Sequence, residues 1–596
     1  MKYLQRNKNL YNIKGEPHLL KLLKGLKPYK LIVIINIVFV ATQGISELFL
    51  PNYTSNLIQK GLRFGDMPTI LHYGALMLLF TVISVGAAII SSYLASKISS
   101  LISRDIRKKL FVKVNSFSLN EVDKIGTSSL ITRSTNDITQ VQNAVFMLLR
   151  IFTLVPIIFA GSITMTIIKQ ASLTLILAVS MPIILILVIA VARIIIPLFN
   201  KMQKKVDNLT LVAREGLTGV RVVRAFDQQE NETIRFNKAN KEVTDIAIKS
   251  NRIMAVMLPI IMLIMNLTIV AVYWFGSKRI SIGKFNVGDL FAVSQYITQI
   301  MFSIVMFIMM FIQLPKASAS AKRINEVMNM ETSIKDSVED MTADKDSECG
   351  VEFKDVCFNF GGENSLNALD HISFKAKKGK MTAIVGSTGS GKTTILNMIA
   401  RFYDPTCGEV QVCGQNVKDY KLKNLRNKLG FVPQKAFLFS GTIAENIKYG
   451  KDNATDEEII SALDTAQGLE FVNEKENGIN AHVSQGGANF SGGQKQRLAI
   501  ARAIVRDADV YVFDDSFSAL DFKTDANLRR ALKKRFNNST MLIVAQRIST
   551  VMNADKIIVL NEGKLVGEGT HKELLKSCSV YREIAESQLE EEELQA

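Results

Sequence analysis

Eight consecutive residues, Gly386, Ser387, Thr388, Gly389, Ser390, Gly391, Lys392 and Thr393, fit the spacing GxxxxGK[ST]. The chemistry that spacing serves is phosphate capture. Glycines let successive backbone N–H groups turn inward around phosphate oxygens, the lysine reaches the outer phosphates, and the threonine hydroxyl can ligate Mg²⁺. A strand-like run, MTAIV, precedes the loop and a helix-like run, TILNMIA, follows it, the context such a loop requires. Asp514 closes a second strand-like run that starts at Val510. A carboxylate there can hold the same Mg²⁺, often through water, and would be costly to bury with no metal at all. Ser491, Gly492, Gly493 and Gln494 stand before the helix-like KQRLAIARAIV. Small residues at a helix start offer N–H groups and a positive dipole end to an anion. Taken alone the four residues could be only a helix cap. Their place 20 residues upstream of Asp514 narrows the reading.

Groups that must meet around one phosphate need a rigid frame. From Val351 onward strand-like and helix-like segments alternate, as an α/β domain demands. The first half is different: long apolar runs crowd it up to about Leu314. Six of them approach the ~20 apolar residues that a bilayer requires. They cover 31–50, 69–95, 144–168, 172–197, 254–275 and 287–314. Basic residues are dense before the first run, between the second and third, and between the fourth and fifth; the other connections hold few. By the positive-inside rule both chain ends are cytoplasmic in a multi-pass cell-membrane protein. The segment EPHLLKLLKGLKPYK, 16–30, alternates leucine with lysine at helical spacing and is too short and charged to span, so it is expected flat on the inner membrane surface. The resulting divisions are a tail (1–15), a membrane domain (16–315), a linker (316–350), an α/β domain (351–585) and an acidic tail (586–596).

The net charge of +17 does not indicate a nucleic-acid partner, because the basic residues flank apolar segments instead of covering one soluble face. Cys349, Cys357, Cys407, Cys413 and Cys578 all fall in the polar half, and no two have close metal-ligand spacing, so they read as reduced thiols. The polar, basic first 15 residues are not a cleavable signal.

The order of the phosphate loop, Gln434 in FVPQ, SGGQ, Asp514 and SALD resembles the ATP-binding cassette family, and six spans ahead of one such domain resemble its exporter branch. The likeness covers nearly the whole chain. It implies an all-α six-helix membrane domain followed by an α/β P-loop domain with a helical subdomain. It implies ATP and Mg²⁺ as cofactors, and ATP hydrolysis coupled to transport. In that family two cassettes sandwich two ATPs, each touching the phosphate loop of one cassette and the SGGQ of the other. By the same likeness Phe360 stacks on adenine, Thr394 belongs to the ATP site, and Asp521 crosses the dimer. Thr393, Gln434 and Asp514 surround Mg²⁺, with Gln434 also sensing water. Ordinary core packing is the alternative for Phe360, which sits on the strand-like VCFNF.

Three positions depart from the family pattern. Asp515 stands where a catalytic Glu normally follows the metal-binding aspartate, which shortens the reach by about 1.5 Å. A misplacement of ~1 Å can cost about 10²-fold in rate. Gln546 replaces the switch histidine; an amide hydrogen-bonds but cannot carry the proton or charge of an imidazole. Gln485 replaces a Glu before SGGQ. With Asp515, Gln546 and Gln434 in the catalytic positions, this chain's own site is expected to bind ATP and cleave it slowly. Its intact SGGQ is expected to complete an active site on a second half-transporter chain that supplies the missing Glu and His. A homodimer with two weak sites is the alternative.

Two cytoplasmic segments, 126–142 and 214–226, resemble the exporters' coupling segments, with a solvated charged face as the alternative. The cargo is expected to be hydrophobic or amphipathic, as in multidrug efflux. Methionines in the fifth and sixth spans suit an adaptable cavity or plain lipid contact equally. Glu47, Arg150, Asn266, Gln295 and Gln299 are polar groups in or near spans, where such groups often line pathways. The alternatives are lipid or peptide export and, from another class, a membrane ATP-binding sensor that moves nothing.

Overall fold

The computed structural model describes residues 18–337, 349–361 and 367–589. The tail expected over 1–15 lies outside them, as does the acidic tail beyond residue 589. They form two compact units, one of residues 18–114 with 128–330, the other of 115–127 with 331–589.

The first unit is helical. It contains α1 (His18–Leu23), α2 (Lys30–Asn56) and α3 (Met67–Asn115). After α4 (Leu119–Ile125), which belongs to the second unit, come α5 (Thr127–Ser134), α6 (Asn136–Gln170), α7 (Thr174–Thr218), α8 (Val220–Ala225), α9 (Gln229–Ser281) and α10 (Val287–Asn329). Among the described residues, five continuous helical stretches are long and apolar enough to cross a membrane: His18–Leu62, Met67–Asn115, Thr127–Thr218, Gln229–Ser281 and Val287–Asn329. The third contains both α6 and α7, separated by the 3-10 turn Ala171–Leu173. At ~1.5 Å per residue, helices of 43 to 53 residues exceed the ~30 Å hydrocarbon layer about twofold. Helices this long extend past the hydrocarbon layer at one end or both. α10 continues to Asn329, so the first part of the segment expected as linker is helix.

Water cannot drive helix association inside lipid, so close packing and interhelical hydrogen bonds must. α10 packs along α6 and α2, and α9 along α7. Gly161 lets α6 approach Leu48 of α2; a Cβ there would overlap that side chain. Of the polar side chains noted in or near the spans, Gln299, Glu47 and Arg150 bond across helices. Gln299 Oε1 accepts from Ser162 Oγ at 2.9 Å, and its Nε2 donates to the Glu47 carbonyl at 3.3 Å. Glu47 Oε1 accepts from Ser84 Oγ of α3 at 3.4 Å, and Arg150 reaches the Ala88 carbonyl at 3.4 Å. Met301 and Met310 are buried, whereas Met262 and Met306 are exposed. The amphipathic segment is pinned to α10: Asn325 Nδ2 donates to the His18 carbonyl at 2.9 Å.

The described residues of the second unit carry three sheets. The largest has the order β12-β11-β3-β10-β9-β6. Its strands are β3 (Met381–Gly386), β6 (Leu429–Val432), β9 (Val510–Asp514), β10 (Thr540–Val544), β11 (Lys556–Asn561) and β12 (Lys564–Gly569). All pair in parallel except the edge strand β12. Both faces are covered, which explains the unbroken apolar runs VYVF and MLIV. Alternate side chains feed two cores: Ala383, Phe513 and Ile543 on one face, and Ile384, Val512 and Leu542 on the other.

An antiparallel sheet, order β2-β1-β4-β5, is built from β1 (Cys349–Phe358), β2 (Leu369–Lys377), β4 (Cys407–Val412) and β5 (Gln415–Asn416). The strands β7 (Gly441–Thr442) and β8 (His482–Val483) form a small ribbon. One expectation is corrected here. Cys357 and Cys407 are not independent thiols: they are cross-strand partners on β1 and β4 with bonded sulfurs. Their sequence separation of 50 hid a neighbourhood that only the sheet register creates.

α4 joins this unit through its own side chains. Tyr403 Oη donates to Asp123 Oδ2 at 2.8 Å, and the Ser333 backbone N–H donates to Glu121 Oε1 at 3.1 Å. Ser118 and Glu121 form the capping box that starts the helix. The part of the first loop that belongs with the α/β unit is thus 115–127, immediately before most of the coupling segment expected over 126–142.

Candidate functional site: a phosphate loop and its flanking carboxylates

The carboxyl ends of four adjacent strands converge, which is where open parallel sheets bind ligands. β3 ends in Gly386 and runs into the GSTGSGKT loop and α11 (Lys392–Ile399). Gly391 caps that helix at φ 96°, and a Cβ there would strike the Ala368 carbonyl and Leu369. Ser387, Thr388 and Gly389 form the exposed crest of the loop, while Ser390 and Thr394 are buried. Lys392 Nζ donates to the Gly386 and Ser387 carbonyls at 2.7 and 2.6 Å. Burial pushes its ammonium pKa down, against the pull of the Asp515 and Asp514 carboxylates. A phosphate would meet a loop already held in place by its own lysine.

β9 brings Asp514 to this point. Thr393 Oγ1 donates to Asp514 Oδ1 at 3.2 Å. Burial pushes the Asp514 carboxyl up, with the neighbouring Asp515 adding to the rise. A buried carboxylate beside a hydroxyl, both oxygen donors, fits a hard divalent cation such as Mg²⁺.

Asp515 follows in a left-handed conformation, φ 45°, with its N–H bonded to the Val544 carbonyl at 2.9 Å. Its Oδ2 accepts from Gln546 Nε2 at 3.0 Å and, at a long 3.5 Å, from Gln434 Nε2. Gln546 follows β10 and Gln434 follows β6, so the sheet order itself assembles the trio. The carboxylate is buried and engaged by two amides.

Ser491, Gly492, Gly493 and Gln494 are placed differently. Ser491 caps α12 (Gly492–Ile504). Its Oγ accepts from the Gln494 N–H at 3.3 Å, and Gln494 Oε1 accepts from the Ser491 N–H at 3.0 Å. The helix cap admitted by the sequence is therefore present, on an exposed surface. Asp521 likewise caps α13 (Phe522–Arg535), accepting from the Thr524 N–H at 2.9 Å; that bond holds its carboxyl below the usual range. Phe360 is 61% exposed and meets Phe358 and Tyr403 edge-on, so core packing does not explain it.

Some residues that shape the site have no local sequence signal. Gln588 accepts from the Ile548 N–H and donates to the Gln546 carbonyl, both at 2.9 Å, which clamps the segment carrying Gln546. Arg529 Nη1 reaches the Ser549 and Thr550 carbonyls at 3.1 Å from α13. Neither is adjacent in sequence to what it holds.

Comparison with known proteins identifies the family. Residues 33–317 match the ABC transporter transmembrane region and 369–518 match the ABC transporter domain. The uncharacterized ABC transporter ATP-binding protein MT1311 of Mycobacterium tuberculosis is 39% identical over 94% of this chain and 97% of its own length. The chain belongs to the ABC transporter family. The match of its second unit implies ATP binding and an ATPase coupled to transport. Another relative of this ABC transporter is the ATP-dependent lipid A-core flippase of Desulfotalea psychrophila, 32% identical over 82% of this chain and 84% of the flippase. The solved structure of a bacterial Atm1-family ABC exporter with ATP bound shares the fold, with a TM-score of 0.78, 24% identity, and coverage of 95% of this chain and 99% of that one.

Proposed function

We propose that this ABC transporter is one half of a two-chain exporter of hydrophobic or amphipathic compounds. It pairs with a different chain that supplies the catalytic Glu and switch His. Six crossings, by α2, α3, α6, α7, α9 and α10, would keep both termini on one side of the membrane, and the basic loops assign that side to the cytoplasm.

The observation that carries this reading is the Asp515 carboxylate, short and already bonded to Gln546 and Gln434. A general base must reach the proton it takes, at about 2.6–3.2 Å or through one water. Asp515 is one methylene short of the usual Glu, and its accepting oxygen is occupied by amides. Bound ATP would sit with Lys392 on its outer phosphates, and Thr393, Asp514 and Gln434 would hold Mg²⁺, which supplies charge neutralisation on those phosphates. Phe360 is free to stack on the base. This chain's residues thus bind and orient the nucleotide, while water activation at this pocket is weak. The exposed Ser491 cap offers N–H groups to a γ-phosphate held by the partner, and Asp521 lies beside the same surface. α8 supports a partner too: none of its residues is buried, and the flanking Leu217 and Phe226 are 76% and 72% exposed. ATP binding closes the two cassettes and opens the cargo cavity outward; hydrolysis at the partner-supplied site resets it.

The test is ATP-dependent dye uptake by inside-out vesicles holding this chain with its partner. Transport by the pair and none by either chain alone is expected. Brisk turnover by the self-paired chain would overturn the pairing, and ATPase without movement of any cargo would favour the sensor. Lipid export is a second reading, favoured by a cavity of about 720 Å³ between α7 and α9. Leu175, Ile183, Leu267 and Phe275 line it, with Arg279 as its cation, a combination suited to an acyl chain under an anionic head group. Movement of labelled lipid without dye uptake would select it.

A further inference from the structure

Three residues of the antiparallel sheet bring three kinds of ligand atom together. The Cys357 sulfur, a carboxylate oxygen of Asp370 and a ring nitrogen of His371 all lie within 4.8 Å of one another. A fourth donor adjoins Cys357: Cys407 faces it across β1 and β4, with Cα atoms 5.0 Å apart.

The backbone is shaped to make this meeting possible. β1 lies between β2 and β4. Along β1 and β2 the register pairs Val356 with Ile372 and Phe358 with Leu369, so Asp370 and His371 together oppose Cys357. Two residues facing one is a bulge, the device by which sheets re-aim side chains. His371 takes φ 52° and Asp355, in the same irregular stretch of β1, takes φ 50°. Such left-handed conformations in residues other than glycine persist only where the surroundings over-determine them, and they cluster at functional sites. Asp355 Oδ1 lies 2.7 Å from His371 Nδ1. A carboxylate on one imidazole nitrogen is the usual outer support of a metal-binding histidine, fixing the ring and leaving the other nitrogen to ligate. Cys357 is buried while the His371 side chain is 66% exposed, so an ion has a route in from solvent.

We propose that Cys357, Cys407, His371 and Asp370 form a tetrahedral site for a Zn²⁺-type ion, with Asp355 as the carboxylate that orients His371. Two thiolates, an imidazole and a carboxylate suit Zn²⁺ and are a poor set for Mg²⁺, which prefers oxygen ligands in an octahedron. The site is distinct from the phosphate loop and belongs to the reduced chain. A low-molecular-weight thiol donates two electrons to the Cys357–Cys407 bond: two reductant thiols become one disulfide, and the protein disulfide becomes two thiols. Zinc then displaces one proton from each thiol, and both protons pass to water. The ion would tie β2, β1 and β4 together just ahead of Phe360.

The experiment uses the full-length chain in detergent, reduced with a phosphine that is then removed. Zn²⁺ is titrated against a chromophoric chelator, Co²⁺ is bound in its place for absorption spectroscopy, and the cysteines are mapped by alkylation. One ion per chain, a Co²⁺ spectrum with thiolate charge-transfer bands, and metal protection of Cys357 and Cys407 but not Cys413 are expected. Cys357→Ser should abolish binding. Asp355→Asn should weaken it about 10- to 100-fold, as loss of an outer-shell partner does. Cys413→Ser should leave it unchanged, and every variant should keep its nucleotide-induced rise in melting temperature. Binding with no thiolate bands, no protection of the two cysteines, equal uptake by the oxidised chain, or no binding beyond buffer would each overturn the proposal. The spectrum and the protection map need no variant, so a misfolded mutant cannot obscure the answer.

Discussion

At the ends of β3, β9, β10 and β6, side chains satisfy one another: Lys392 holds its own loop, Thr393 bonds Asp514, and two glutamines share Asp515. At the start of α12, Ser491 and Gln494 close only their own helix turn and face outward. The first region is inward-looking, its polar side chains bonded to one another. The second is an exposed helix start whose side chains bond only within its first turn. On the proposed reading, nucleotide binding, base chemistry and completion of a neighbour's pocket are separable in one cassette, because the residues assigned to them rest on different elements.

The comparison breaks most readily at the phosphate loop. Lys392→Ala should lower this chain's affinity for fluorescent ATP by about 10²-fold, since it removes a charge-assisted contact to the outer phosphates. Ser491→Arg should leave that affinity intact, and a parallel loss would mean the two regions are one site. In the assembled pair, Ser491→Arg should reduce ATP turnover by about 10²-fold, on the scale of losing a preorganised donor to the transition state. Asp515→Asn should reduce it much less; equal effects would contradict the assignment.

Asp515→Glu combined with Gln546→His should raise turnover of the pair, or confer it on this chain alone, by about 10-fold or more as reach is restored. No change in either would count against the account of a weakened pocket.

A smaller effect should appear in stability. Burial raises the Asp514 carboxyl, so the folded chain favours its protonated form. As pH rises from the ordinary 3.8 through the raised folded value, the ionised carboxylate costs stability that an amide would not. Asp514→Asn should therefore melt higher than the parent at pH 7 without nucleotide. The gap should close as the pH falls below 3.8, and the added stabilisation by Mg²⁺-ATP should vanish. A lower melting temperature at pH 7 would show that the carboxylate is compensated in some other way. Smallest of all, Tyr403→Phe removes the bond to Asp123 and should cost about 1 kcal/mol, read as a modest fall in melting temperature.

The phosphate loop, the strand ending in Asp514 and the SGGQ cap were legible because each is a short run whose spacing and flanks encode its own conformation. The long apolar segments were legible for a similar reason: bilayer thickness sets their length. Against the resembled family's pattern, Asp515 and Gln546 stood out as departures. Tertiary structure alone decided the rest. Sheet order placed Gln434 and Gln546 on the same carboxylate oxygen, and Gln588 reached back to Gln546 from 42 residues away. Interhelical contact turned Gln299 and Glu47 into fasteners. A bulge set Asp370 and His371 opposite Cys357. Spacing along a chain fixes only local dihedral and hydrophobic preferences, whereas register and crossing decide which distant atoms come within bonding range.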